Sequence, residues 1–373
     1  MNKFDEPDRM IGIKGARGVG KTTLLLQYMK LKLHEKNALY ISLDDLYFTE
    51  NTFLDTADSF LKNGGTHLLV DEVHHYENWA KELKNAYDRY PELKIIFTGS
   101  SMLRMESSRG DLSRRAVIYL MQGLSLREYI HYSGGPEFPV LTLTQILEDH
   151  RQIAETVWSR IKPIRAFNEY LQYGYFPFAS ENMATYSLRL KEIINVVLEA
   201  DLPYLAEIDY SKIDKIKQLL YIISQSVPFK PNIIKLAERT GMARNTLKNY
   251  LHYLSDAGLI HLIYSSSKGI SVLTKPEMIY MANPNLLFAL GSSGTDKGNL
   301  RETFFINQLS EGHSVQYPKQ GDFMIDNKHI FEVGGKNKNL SQIKGLDNAF
   351  LALDDIESGV PGQIPLWLFG FLY

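Results

Sequence analysis

Gly15 to Thr22 read GARGVGKT, the spacing G-x-x-x-x-G-K-[ST] that lets a chain wrap an anion. The glycines allow the backbone to curl so that successive N–H groups point inward. A helix beginning at the lysine adds the partial positive charge of its N-terminus. In such a loop Lys21 reaches the β- and γ-phosphates of a nucleoside triphosphate and the Thr22 hydroxyl ligates Mg2+. Gly15, Ala16, Arg17, Gly18, Val19, Gly20 and Thr23 complete the expected nucleotide-binding set. The context is the required one: the apolar run MIGIK precedes the loop and the helical KTTLLLQYMKLKL follows it.

Hydrolysis needs an acidic element on a neighbouring strand, and HLLVDE (67–72) supplies one. Asp71 is expected in the Mg2+ shell and Glu72 as the general base that polarises water; the plain alternative for Glu72 is a surface salt bridge. FTGSS (97–101) places Thr98 and Ser100 where a polar side chain senses the γ-phosphate, with turn capping as the alternative. RGDLSRR (109–115) offers a guanidinium for transition-state charge, in cis or from a neighbour. Arg115 is the first choice, ahead of Arg114 and Arg109, with surface arginines as the alternative. The adjacent histidines of HHYE (74–77) point in different directions and read as a surface loop rather than a chelate.

What must position these residues is a sheet. Five apolar runs, at 10–14, 38–43, 67–71, 94–98 and 116–120, alternate with helical patterns at roughly 20 to 30 residue intervals. Near-continuous apolar strands of this kind are covered on both faces by crossover helices, so residues 1–125 read as an α/β parallel sheet around the phosphate loop. Residues 126–208 read as a helical connecting region and 209–290 as a helix-turn-helix with a wing. GSSGTDKG (291–298) is the best linker pattern, opening a small α/β segment over 291–373.

In NIIKLAERTGMARNTLKNYLHYLSDAGLI (232–260) Gly241 marks a tight turn between two helices. Leu247, Tyr250, Leu251 and Leu254 follow i, i+3, i+4, i+7 and form the buried stripe. Arg244, Lys248 and His252 line the polar side, with Asn245 and Asn249 beside them. Arg244, Asn245 and Lys248 are the candidate DNA contacts. A packing or protein-binding role is the competing expectation.

Composition narrows the classes. The chain has 373 residues, 41 Lys+Arg against 43 Asp+Glu, and no cysteine. Nothing pulls it globally toward nucleic acid or anionic lipid, so any such site is a local patch. Thiolate chemistry, disulfides and cysteine zinc sites are excluded. No apolar run approaches ~18 residues, and the N-terminus lacks an apolar signal-like core. The expectation is a soluble cytoplasmic protein with no membrane partner.

Together GARGVGKTT, LLVDE, IIFTGSS, SRRAVIYLMQGLSLREYI and YGYFP resemble a bacterial and archaeal family of AAA+-like ATPases that joins a P-loop core to an uncharacterised C-terminal region. The resemblance implies ATP and Mg2+ as cofactors. It also implies an extra strand between the phosphate-loop and second-motif strands, then a helical segment, a winged helix and a restriction-endonuclease-like terminus. Oligomerisation stays open.

Such a terminus needs carboxylates from adjacent strands around Mg2+ and a lysine near the attacking water. Glu302, Asp322 and Glu332 fit, but the family's Glu-x-Lys would put lysine at 334, and FEVGGKNKN (331–339) has Gly334 there. Lys336 shares a strand face with Glu332 and is the candidate displaced lysine; Lys338 lies further out. Consecutive glycines favour a bulge that would turn Lys336 away. The expectation is a degenerate site that does not cut DNA. The functional reading is a Mg2+-dependent ATPase whose nucleotide state is coupled to C-terminal DNA- or protein-binding domains. A non-hydrolysing switch or scaffold and an ATP-dependent nuclease are the alternatives.

Overall fold

The computed structural model describes residues 4–5, 7–33, 37–99, 112, 114–203, 208–226, 228–266, 275–291 and 296–373. Ser100 and Arg109 lie outside them. The chain divides into two compact units, one built on Met1–Gly123 and the other on Leu124–Pro203 and Ile208–Tyr373.

The first unit alternates strands and helices: β1 Met10–Lys14, α1 Lys21–Lys32, β2 Ala38–Ser42, α2 Phe53–Lys62, β3 His67–Asp71, α3 Trp79–Arg89, β4 Lys94–Gly99 and β5 Val117–Leu120. The strands form one parallel sheet in the order β2-β3-β4-β1-β5. The extra strand implied by the resemblance is β4, between β1 and β3. Side chains alternate across the sheet as a period of two requires. Met10, Leu68, Val70, Ile95 and Phe97 pack with Phe53 and Ala57 of α2 and Trp79 and Leu83 of α3. Ile11, Ile13, Leu69 and Ile96 pack on the other face with Leu25 and Tyr28 of α1. Because the strands run the same way, Lys14, Ser42, Asp71 and Gly99 all end on one edge.

The second unit begins with α4 Leu126–Tyr132, α5 Leu143–Trp158, α6 Pro163–Tyr173 and α7 Tyr186–Val196. Then come α8 Ile213–Ser226, α9 Ile233–Thr240, α10 Arg244–Asp256 and the antiparallel pair β6 Ile260–Ile263 and β7 Met278–Met281. Gly241 adopts φ 61 between α9 and α10, the left-handed turn that glycine allows at no steric cost. Leu247, Tyr250, Leu251 and Leu254 are buried, as their spacing requires. Phe229 bridges to Ile279, adding a third extended segment beside β7.

The chain continues through α11 Pro284–Leu290, α12 Lys297–Leu309, β8 Val315–Gln316, β9 Phe323–Ile325, β10 His329–Gly335, β11 Ala349–Asp354 and β12 Gln363–Pro365. These last strands form a mixed sheet in the order β12-β11-β10-β9-β8. The segments that the sequence separates into helical region and terminal α/β layer share one core: Leu126, Phe167 and Tyr170 pack with Phe304, Phe305, Phe331 and Phe369. Asn285 of α11, fully buried, ties the helical region to the segment that follows β7. It accepts from Tyr175 N–H at 2.9 Å and Tyr186 OH at 2.6 Å, and donates to the carbonyls of Tyr170 at 3.1 Å and Leu171 at 2.9 Å. Among the described residues no helix is long and apolar enough to cross a membrane.

One expectation is corrected by this sheet. β10 runs unbroken through both glycines, with Gly334 opposite Leu353 and Gly335 opposite Asp354 in parallel register. The ladder to β11 holds the glycines extended, so no bulge forms.

Candidate functional site

The phosphate loop leaves β1 and enters α1 through two left-handed glycines, Gly18 (φ 86) and Gly20 (φ 101). Gly20 caps α1 without any side-chain hydrogen bond, which leaves first-turn N–H groups for an anion. A side chain on Gly15 would meet the Met121 carbonyl oxygen at 2.2 Å. Only glycine lets the loop leave the sheet there. Lys21 is buried and its Nζ donates to the carbonyls of Gly15 at 3.0 Å and Ala16 at 2.9 Å.

Asp71 ends β3 at 1% exposure, and four donors converge on it. Its Oδ2 accepts from Thr22 Oγ1 at 2.6 Å and Tyr40 OH at 2.9 Å. Its Oδ1 accepts from Thr98 Oγ1 and from the Glu72 N–H at 3.1 Å. Thr98 Oγ1 in turn accepts from the same N–H at 3.2 Å. Thr98 therefore holds the acidic pair in place. Burial, then the Asp71 charge, pushes the Tyr40 phenol well above its ordinary range, so it is a fixed donor. Tyr40 lies mid-strand with no motif to mark it.

Glu72 adopts φ 51 and caps a short 3-10 turn, Val73–His75. That turn brings the two histidines back over the glutamate. His74 Nε2 lies 3.5 Å and His75 Nε2 3.9 Å from Glu72 Oε2. The ligand atoms of the three lie within 4.8 Å of one another. The surface-loop expectation fails for His74, which is fully buried. Burial lifts the Glu72 carboxyl above the usual carboxylate range, with Lys21 and Arg17 pulling the other way and Asp71 adding to the rise. A raised carboxyl beside the phosphate loop is suited to accepting a proton from water.

For Arg115 only the in-cis expectation is corrected. It precedes β5, so in a parallel sheet it stands at the edge opposite the phosphate loop. There it clasps Asp88 of α3, Nε to Oδ1 at 2.8 Å and a terminal nitrogen to Oδ2 at 2.9 Å. It does not reach the nucleotide pocket of its own unit. Arg114 is exposed beside it.

The second unit gathers another set. Glu302 on α12 accepts from Tyr280 OH at 2.8 Å. Asp322, just before β9, accepts from Val333 N–H at 2.8 Å. Glu332, within β10, is fully buried and pairs with Lys338 Nζ at 2.5 Å. The Gln342 amide, oriented with its nitrogen toward the carboxylate, donates to Glu332 Oε2 at 3.0 Å. Burial raises Glu302 to about 7, with Asp322 and Glu332 adding to it and Lys338 opposing. Burial likewise raises Asp322 to about 6. Burial works against the Lys338 charge, but Glu332 outweighs it and holds the ammonium above the ordinary lysine range. Lys336, the expected displaced lysine, is exposed just past the strand end; the lysine on the carboxylates is Lys338.

On the helix-turn-helix, Arg244 and Asn245 are exposed and Lys248 is half-buried. They share a groove of about 760 Å³ with Lys230, Asn232 and Lys275. Among the described residues four cations line it, and no acidic residue does. Lys230 and Lys275, from segments outside the helices, carried no motif in the sequence.

The sheet order, the loop between β1 and α1 and the acidic end of β3 fit a P-loop ATPase fold. Residues 7–130 match the AAA_14 family, described as an AAA domain, and residues 164–297 match a domain of unknown function. Two uncharacterized proteins of Methanocaldococcus jannaschii are similar along most of the chain. One is 28% identical over 384 residues, covering 93% of this chain and 80% of its own. The other is 25% identical over 359 residues, covering 90% and 75%. Among solved structures, a Walker-type ATPase of Pyrococcus abyssi aligns with a TM-score of 0.44 and 13% identity, over 78% of this chain and 93% of that one.

Proposed function

We propose that the first unit binds ATP with Mg2+ and hydrolyses it, and that nucleotide state governs the engagement of DNA by the second unit. The observation that carries hydrolysis is the continuous chain Thr22–Asp71–Thr98 with Glu72 bonded onto its end. Thr22 and Asp71 would hold Mg2+, which supplies charge neutralisation at the phosphates. Lys21 would exchange its loop carbonyls for the β- and γ-phosphates. Glu72 takes the proton of the attacking water. Arg115, at the opposite sheet edge, suits the pocket of a neighbouring copy rather than its own.

Steady-state hydrolysis tests this. Lys21→Ala should lose ATP affinity. Glu72→Gln should keep it and lose turnover by about 10² or more, the typical worth of a general base. Turnover unchanged in Glu72→Gln returns the protein to a nucleotide switch.

The four-cation groove beside α10 favours a duplex partner, since phosphates are the ligands that such a lining fits. In this reading α8–α10 and the β6–β7 pair form a winged helix. The Glu332–Lys338 pair favours a further reading, phosphodiester hydrolysis at the carboxylates of the second unit.

A further inference from the structure

We propose that Glu72, His74 and His75 form a site for a borderline divalent cation, zinc above all, and that its occupation stops ATP hydrolysis by tying up the base while nucleotide still binds. The inhibition rests on the reading of Glu72 as the base; the site itself does not. Its origin is local. Glu72 caps a single 3-10 turn, and the His75 N–H donates to the Glu72 carbonyl at 3.1 Å. In such a helix residues i and i+3 eclipse, so His75 stands over Glu72. His74 comes from the buried side, its ring 4.2 Å from that of His75 and tilted 39° to it. Side chains of neighbours that would diverge on a strand converge on this turn.

Both Nε2 atoms face one oxygen. Glu72 Oε2 lies 3.5 Å from His74 Nε2 and 3.9 Å from His75 Nε2. Both distances exceed the roughly 2.7–3.2 Å of a hydrogen bond, and Oε2 is buried without a hydrogen-bond partner. Ligands held at about 2.0–2.1 Å around a tetrahedral zinc stand roughly 3.4 Å apart. The His74 distance is close to that separation already. The His75 side chain, 34% exposed, can swing in to close the rest. A contact that only steadied the carboxylate would need one imidazole on that oxygen, and here there are two. Among the described residues this is the one group of three His, Asp or Glu side chains so gathered.

Two imidazoles and a carboxylate are a donor set for Zn2+, Co2+ or Ni2+ and a poor one for Mg2+, which takes oxygen. Asp71 stands apart from this set. Its two oxygens are bonded to Thr22, Tyr40, Thr98 and the Glu72 N–H. The two ions therefore sort by chemistry, Mg2+ to the hydroxyl of Thr22 and the carboxylate of Asp71, zinc to the turn beside them. Three protein ligands leave a fourth position for water. With Oε2 engaged as a ligand, it no longer takes the proton of the attacking water. Lys21 and the loop amides are not involved, so ATP affinity is kept.

Co2+ serves as the probe, because its visible absorption strengthens when the ion is four-coordinate. The full chain, stripped with a chelator, is titrated with Co2+ and then with Zn2+. Hydrolysis in Mg2+ and nucleotide binding are followed with free Zn2+ fixed by a metal buffer. The parent should bind one Co2+ with a four-coordinate spectrum that Zn2+ abolishes. His75→Ala should weaken both ions roughly tenfold or more. Thermal melting checks that each variant folds, and Zn2+ should raise the Tm of the parent more than that of His75→Ala. Zn2+ should suppress hydrolysis by the parent with ATP affinity unchanged. His75→Ala, compared with its own zinc-free rate, should need roughly ten times more Zn2+ for the same loss. Parental Co2+ affinity and spectrum in folded His75→Ala and His74→Asn overturn the site. A parent that holds the ion and hydrolyses unimpeded overturns the inhibition, and Glu72 as base with it, while the site stands. A parent that hydrolyses no ATP overturns the ATPase reading and the inhibition, and Co2+ alone then decides the site.

Discussion

At the scale of single residues the proposed base depends on a backbone conformation that side chains seldom adopt. Glu72 sits at φ 51, a region that costs an ordinary residue about 1–2 kcal/mol. The turn that follows places His74 Nε2 at 3.5 Å from its carboxylate. His74→Ala should therefore lower kcat about tenfold, equivalent to ~1.4 kcal/mol, with ATP affinity unchanged, while His74→Asn should recover part of it. Nucleotide binding by fluorescence separates the two quantities; equal loss of binding would show that His74 merely supports the fold. The phosphate loop was legible because its chemistry lies in consecutive residues. His74 was not, because adjacent histidines were read as diverging side chains and the left-handed start at Glu72 leaves no pattern in residue types.

Elements were legible where burial is two-sided. The runs at 10–14 and 67–71 coincide with β1 and β3, since strands covered on both faces must be apolar throughout. Direction was the harder property. Arg115 was chosen because it precedes the last strand, to act in cis or from a neighbour, whereas a parallel sheet sends residues before a strand to the edge away from their own phosphate loop. The helix α10 gives the reverse case. Its polar face was legible from periodicity, but the groove also needs Lys230 and Lys275 from segments with no periodicity at all. Arg244→Ala with Lys248→Ala should weaken duplex binding for all sequences. The slope of log K against log salt should flatten by about two, close to 0.9 per lost phosphate contact. Fluorescence anisotropy over a salt series reads both, and an unaltered slope would assign the groove to another ligand.

For the molecule as a whole, stability should carry a signature in acid. His261 on β6 keeps Nε2 from water with no hydrogen-bond partner, and burial holds its pKa down to about 4. The unfolded ring titrates near 6.5, so the unfolded state gains a proton first as pH falls. The contribution is whole above 6.5 and is lost progressively between 6.5 and 4, by up to about 3 kcal/mol. Glu302 acts with the opposite sign. Its carboxyl is raised to about 7 in the folded protein, so its contribution is lost as pH rises toward 7. Urea unfolding of the parent and His261→Gln at pH 8, 6 and 4 isolates the histidine by difference. The gap between the two proteins should narrow on acidification, and a constant gap would contradict the buried neutral ring.

Past the turn that ends β10, the Lys338 stem on its way to Glu332 fills the place a side chain on Gly334 would take, and this sets an order of events. Two lysines cannot occupy that lane together, because a side chain at 334 would collide with the incoming stem. Any exchange between the two positions must first clear 334 to glycine, and only afterwards can a residue beyond the turn lie down in the space. A pattern search that counts two residues past the glutamate will pass over every chain that has made this exchange. A search that pairs a glycine at that position with a lysine four residues later would recover them.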